Sequence, residues 1–188
     1  ARGLVDPIPR RGSIVARIGV DRLADMFEAE CELEAHCARL ASQRMTGLDR
    51  GELQDLFEQS AIAVRTEDYD AYFDFNSRFH HLICNGVHND TLGEMVRNLR
   101  DRLAPFRRTQ PTDVADRLHR SHGEHESIVR AIVGGHAEEA YETMRSHNAR
   151  LSTGVLLLLK QQKDGQLRKA ATQEHNPLAN ILPEDEAA

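Results

Sequence analysis

From Val20 onward the apolar positions recur in steps of three and four, the period of helices. VDRLADMFEAECELEAHCARLAS sets Leu23, Met26 or Phe27, Glu30, Leu33, Cys37 and Leu40 on one stripe without an internal Gly or Pro, so it reads as one long amphipathic helix. Gly47 breaks it. LDRGELQDLFEQSAIAV aligns Leu48, Leu53, Leu56, Phe57 and Ile62 or Ala63 as a second helix. EDYDAYFDFNSRFHHLICNGV is a third, with acids in its first turn, where the helix dipole favours them. TLGEMVRNLRDRLAPFRR is a fourth, with Pro105 a candidate kink and Pro111 beyond its end. DVADRLHRSHGEHESIVRAIVGG stops at a double glycine, and HAEEAYETMRSHNARLSTGVLLLLKQQK forms the sixth. No segment alternates with period two for long enough to predict a sheet. Short connections favour antiparallel neighbours, so the expected fold is all-α, an antiparallel bundle of about six helices.

Length and composition fit one well-buried domain: 188 residues, 40% apolar and 29% charged. A Pro/Gly-punctuated basic segment at 1–18 precedes the helical domain, expected over 19–163. The tail, 164–188, has low hydrophobicity and an acidic end, which predict disorder. The longest apolar run, Val155 to Leu159, is far shorter than the ~20 residues of a membrane span. Cys31, Cys37 and Cys84 are odd in number and lack CxxC spacing, so they read as reduced packing thiols. The expected location is cytoplasmic, with no membrane partner. A formal charge of −6 argues against a nucleic-acid surface spread over the chain, so any DNA contact is local or supplied by sequence outside it.

Candidate chemistry begins at FNSRFHHLI, residues 75–83. Tyr72, Asn76, Phe79, His80, Ile83 and Val87 share the inward stripe, whereas His81 is turned about 100° away. The same test puts His125 in line with Leu118 and Ile132, and His147 in line with Ala140, Met144, Leu151 and Val155. Three helices each aim one imidazole at the core. Unpaired, such groups cost roughly 1–3 kcal/mol each. A divalent cation would accept all three ring lone pairs, with the Asn76 oxygen as a further ligand. Nitrogen-rich ligation suits Zn, Ni, Co, Fe or Cu over Ca or Mg. The alternative is three hydrogen-bonded core histidines. Glu124 and Glu126, turned off the His125 face, read as surface acids; His36 lies near the acids of the first helix, and His88, His119, His122, His136 and His175 read as surface or helix-end residues.

Several spaced motifs then occur in order: PRRGSIVA at 9–16, LEAHCARLA at 33–41, FNSRFHHLI with Asn89 and Leu92, and SHGEHESIVRAIVGG at 121–135 followed by Ala140, Met144 and His147. On these the chain resembles the GntR superfamily of bacterial transcription regulators, and within it the ligand-sensing C-terminal FCD domain of the FadR type. The resemblance implies a metal held by Asn76, His80, His125 and His147, with Asn76 where the family usually has Asp. Zn or Ni is the expected ion. It further implies an effector-sensing and dimerisation domain that takes a small organic-acid-like metabolite, forms a homodimer through the exposed sides of the first and fourth helices, and reaches operator DNA through a winged-helix domain ending in residues 1–18. Where the family commonly has Arg four residues before Glu34, this chain has Glu30. Arg102, on an edge with Met95, Leu99 and Phe106, is the expected substitute at the effector, with His81 at the pocket rim. A metal-dependent hydrolase is the rival, because three nitrogen ligands and an open position could activate water. No motif places a general base for it, so no enzymatic activity is expected.

Overall fold

The computed structural model describes residues 5–8, 12–15, 18–107 and 114–174. A hairpin of β1 (Val5–Ile8) and β2 (Gly12–Val15) precedes α1 (Val20–Arg44), α2 (Gly47–Arg65), α3 (Tyr69–Asn85), α4 (Asp90–Arg107), α5 (Val114–Val133) and α6 (Ala137–Glu174). The hairpin is antiparallel, with Val5 opposite Val15 and Ile8 opposite Gly12. Its strands are four residues each, too short to register as a period-two pattern. The domain itself is all-α, as the periodicity predicts.

Local chemistry explains the helix ends. Thr46 and Asp49 form a capping box at the start of α2: Thr46 N donates to Asp49 Oδ2 at 2.7 Å and Asp49 N to Thr46 Oγ1 at 3.2 Å. Asp68 caps α3 by accepting from Ala71 N. At the end of α5, Gly135 adopts φ +72°, while His136 N and Gly135 N return to the carbonyls of Ala131 and Ile132, the Schellman arrangement. Arg50 donates to the carbonyls of Ile132, Val133 and Ser42, tying α2 to the ends of α5 and α1. Pro105 lies within α4 near its C-terminal end, where the missing N–H frees only a carbonyl close to the terminus, and the helix continues to Arg107.

α1 runs through the middle of the bundle, packed against α3, α4, α5 and α6. Its buried face is consequently wider than a single stripe: Glu34, Ala35, Ala38 and Ala41 are buried together with Leu23, Phe27 and Cys37. One apolar cluster, containing Phe75, Phe79, Ile83, Val96, Ile128, Ile132 and Met144, fills one end of the bundle. A second, with Leu23, Met26, Phe27, Leu103 and Val155, fills the other. Between them along α1 and α6 lies a buried polar layer: Glu30 and Glu34 on α1, His147 and Asn148 on α6.

α6 departs from expectation by continuing beyond Lys163 to Glu174. QLRKAA within this extension consists of good helix formers, and propensity outweighs low hydrophobicity there. The remaining tail, 175–188, and Pro111 lie outside the described residues. Among the described residues no helix is long and apolar enough to cross a membrane.

Phe79 is fully buried, with its ring centroid 4.5 Å from that of His125 and 5.6 Å from that of Phe75. Replacing Phe79 with Ala is expected to cost about 3–5 kcal/mol, read as a lower urea midpoint, because the cavity would open beside the histidines where the packing cannot collapse.

Candidate metal centre

α3, α5 and α6 deliver His80, His125 and His147 to one place. One ring nitrogen of each lies within 4.8 Å of the others, and all three side chains are buried. The ring centroids stand 5.6, 5.5 and 4.6 Å apart for the pairs 80–125, 80–147 and 125–147.

The Nδ1 edges are committed elsewhere. His80 Nδ1 lies 2.7 Å from Glu34 Oε2, His147 Nδ1 lies 2.7 Å from Glu124 Oε2, and His125 Nδ1 lies 3.1 Å from the Tyr72 hydroxyl. A carboxylate can only accept, so the first two contacts place the proton on Nδ1 and leave Nε2 as a lone pair. Tyr72 donates its own proton to Ser121 Oγ at 3.2 Å, which leaves the phenol oxygen to accept from His125 in the same sense. Burial raises the Tyr72 pKa, so the hydroxyl keeps its proton. The Nε2 atoms of His80 and His125 are buried with no hydrogen-bond partner among the described residues. Two orphaned acceptors side by side cost roughly 1–3 kcal/mol each, and a shared cation satisfies both. Carboxylate or hydroxyl partners on the far nitrogen are also what orient metal-binding imidazoles. The donor set fits a divalent transition metal.

Glu34 anchors this arrangement. Besides His80 it accepts from Arg100 Nη1 at 2.5 Å and from Asn148 Nδ2 at 2.9 Å. Burial pushes its carboxyl up, but Arg100 and His80 outweigh burial and hold it well below the usual carboxylate range. Arg100 also lies 4.0 Å from Glu30, which is paired with Arg107. Two acids of α1 and two guanidiniums of α4 thus form one buried network.

Beside the histidines opens a cavity of about 340 Å³. Its lining includes Tyr69, Tyr72, Phe73 and Asn76 of α3, Arg117, Leu118, Arg120, Ser121 and Glu124 of α5, Arg107 of α4, and His147, Arg150 and Leu151 of α6. Four arginines face one carboxylate, and Arg150 is paired with that carboxylate. A 40 Å³ chamber adjoins it, sharing Phe73, Asn76 and Arg107 and adding His81 and Arg100.

The sequence-predicted residues divide accordingly. The three histidines come together, Asn76 is half-buried on the wall common to both cavities, and His81 is half-buried in the small chamber. Arg102 lines neither cavity, because it is turned about 200° along α4 from Arg100. Arg100 and Arg107, seven residues apart and therefore on one face, take the inward positions instead. Glu124, expected at the surface, instead holds His147 and Arg150. No local pattern reveals this role, because its partner lies on the next helix.

With that geometry, comparison with known proteins is informative. The family model of the FCD domain matches residues 25–150. The chain belongs to the FCD family. This agrees with the resemblance to GntR-type regulators, a regulatory rather than enzymatic family. Solved structures of similar fold include Escherichia coli McbR/YncC, with 22% identity, TM-score 0.67, and coverage of 85% of this chain and 74% of that one. The Lar protein that controls the Listeria monocytogenes agr system has 18% identity, TM-score 0.66, and coverage of 83% and 74%. The metal-free FCD domain of the transcriptional regulator TM0439 has 16% identity, TM-score 0.63, and coverage of 78% and 99%. At these identities the likeness is one of fold. No curated protein sequence matches this FCD chain.

The buried imidazoles predict a pH dependence for chelator-treated protein. Burial, with the neighbouring Arg100 charge, pushes His80 down to about 4, and burial with the other two histidines pushes His125 well below its ordinary value. Both folded values lie below the unfolded one, so stability is full above about pH 6.5 and falls as the unfolded state alone takes up protons. Urea unfolding should show a loss of about 2 kcal/mol from His80 between pH 7 and 5, with a further loss in the same direction from His125 and a shallower slope in His125→Asn.

Proposed function

We propose that this FCD domain is the effector-sensing and dimerisation domain of a cytoplasmic FadR-type regulator, holding a divalent transition metal, Zn or Ni, through His80, His125 and His147 with Asn76 as an oxygen donor. A small organic-acid-like metabolite in the adjoining cavity would control the placement of DNA-binding domains in a homodimer. One observation carries the reading: three buried imidazoles with their Nδ1 edges occupied and two Nε2 atoms orphaned at their meeting point.

Glu34, Tyr72 and Glu124 hold the three rings in the tautomer that offers Nε2. Asn76, one turn before His80 on α3, lines the wall shared by both cavities, and the proposal makes its amide oxygen the further donor. A bound cation supplies a Lewis-acidic point on which a carboxylate oxygen can rest. The arginines lining the cavity raise the local concentration of anions. Glu124, adjacent to His125 in sequence, is engaged with His147 and Arg150, which favours sensing over hydrolysis. On α4, the 55%-exposed Met95 offers an apolar contact for a second copy. The β1–β2 hairpin suits the end of a wing, with the recognition helix supplied by sequence outside this chain.

Protein purified without an affinity tag should contain close to one equivalent of Zn or Ni, and chelation should lower its melting temperature. Metal at a hundredfold excess over Kd should add about 2.7 kcal/mol of stability. The absence of both metal uptake and a melting shift with Zn, Ni or Co would sink the reading.

Asn76 gives a second test. Asn76→Asp adds a charged ligand oxygen and should tighten metal binding by at least about tenfold, the scale on which single changes around a metal site act, measured by chelator competition.

A further inference from the structure

The walls of the large cavity and its inner end differ in chemistry. Tyr69, Tyr72 and Phe73 of α3, Leu118 of α5 and Leu151 of α6 supply a mainly apolar surface. The volume, about 340 Å³, equals roughly eleven waters of liquid, so a compact acid of two to four carbons would leave these side chains wet.

Arg107 stands where the large cavity meets the small chamber. It is only 7% exposed, its Nη2 is paired with Glu30, and its Nε is buried with no hydrogen-bond partner among the described residues. Burial lowers its pKa only to about 10, so it remains a cation at neutral pH. A buried guanidinium N–H without an acceptor is costly, and a ligand carboxylate docking there relieves it. The other arginines of the lining, Arg117, Arg120 and Arg150, are half-buried or exposed, so Arg107 is the buried cation where the two cavities meet, and burying a second, unpaired carboxylate against the apolar walls is unfavourable.

We propose that the cavity takes a monocarboxylate with an apolar ring or branched body, its carboxylate docked on Arg107 beside Asn76 and His147 and its body against Tyr69, Phe73, Leu118 and Leu151. This rests on the effector-sensing reading and adds the class of ligand. Arg107 is then the residue that fixes the anionic end, and the aromatic and leucine walls set specificity.

Calorimetry on the full chain loaded with Zn tests this, using phenylacetate and 4-methylpentanoate against succinate and inorganic phosphate at matched ionic strength. The two apolar-bodied acids should bind at least about tenfold tighter, the margin that burying one or two additional apolar groups provides. Leu151→Gln should reduce that preference to within about threefold. Paired replacement of Glu30 and Arg107 by Gln removes both charges without stranding either, so the fold should persist by circular dichroism while binding of the apolar acids is lost. Arg107→Lys keeps the charge but not the planar fork and should weaken those acids at least about tenfold.

Succinate or phosphate binding as tightly as the apolar acids overturns the proposal, as does a preference unchanged by Leu151→Gln or by the paired replacement. Retention of metal without binding of any of the four probes overturns it too, while leaving the metal centre standing. The same preference in a chain that takes up no metal supports the ligand class and removes the metal from the underlying reading.

Discussion

Four of the six helices meet on the Glu34 carboxylate. α1 supplies it, and His80 of α3, Arg100 of α4 and Asn148 of α6 surround it at 2.7, 2.5 and 2.9 Å. A carboxylate only 1% exposed is tolerated because those partners replace the water it has lost. The apolar clusters on either side constrain the bundle less tightly, because hydrophobic cores of conserved volume tolerate repacking. Sliding one helix past Glu34 would strand a charge or a donor. The polar layer therefore sets the register of α1, α3, α4 and α6, and in doing so it aims His80.

The same layer joins the cavity to the histidines without a gap. Arg107, at the cavity's inner end, holds Glu30; Glu30 lies near Arg100; Arg100 holds Glu34; and Glu34 holds His80. α4 contributes both cations and α1 both acids. A pull on Arg107 therefore acts on α4, the helix whose outer side carries Met95. A ligand shifts such an assembly only by its difference in affinity for two arrangements, and this chain of contacts is a physical route by which such a difference can arise.

Much of this was legible from the sequence, for a definable reason. Period and punctuation are local, so six helices and the breaks at Gly47 and Gly134–Gly135 could be read directly. His80, His125 and His147 could be placed on inward stripes because each stripe belongs to one helix. Their partners are properties of helix pairs: Glu34, Tyr72 and Glu124 acquire their roles only when α1, α3, α5 and α6 pack. One signal was present for the charge network. Glu30 lies on the apolar stripe of α1, and Val96, Arg100, Leu103 and Arg107 share one on α4, so buried acids called for buried cations of the same periodicity. That stripe selects Arg100 and Arg107 over Arg102. The continuation of α6 to Glu174 follows from propensity within a polar segment, where hydrophobic period carries no information.

The neutral amide of Asn76, where the resemblance implies an acid, bears on how the two proposed ligands depend on each other. Three neutral imidazoles and a neutral amide leave a bound dication with its full charge, whereas a carboxylate at that position would cancel half of it. A cation held by neutral donors binds less tightly but attracts an incoming carboxylate more strongly. Linkage makes the gain mutual: an anion that binds better with the metal present must tighten the metal by the same factor. The proposed neutral donor set would thus favour joint occupancy of the proposed metal and metabolite over a permanently filled metal site, and Arg107, already balanced by Glu30, would orient the anion without duplicating the charge that draws it in.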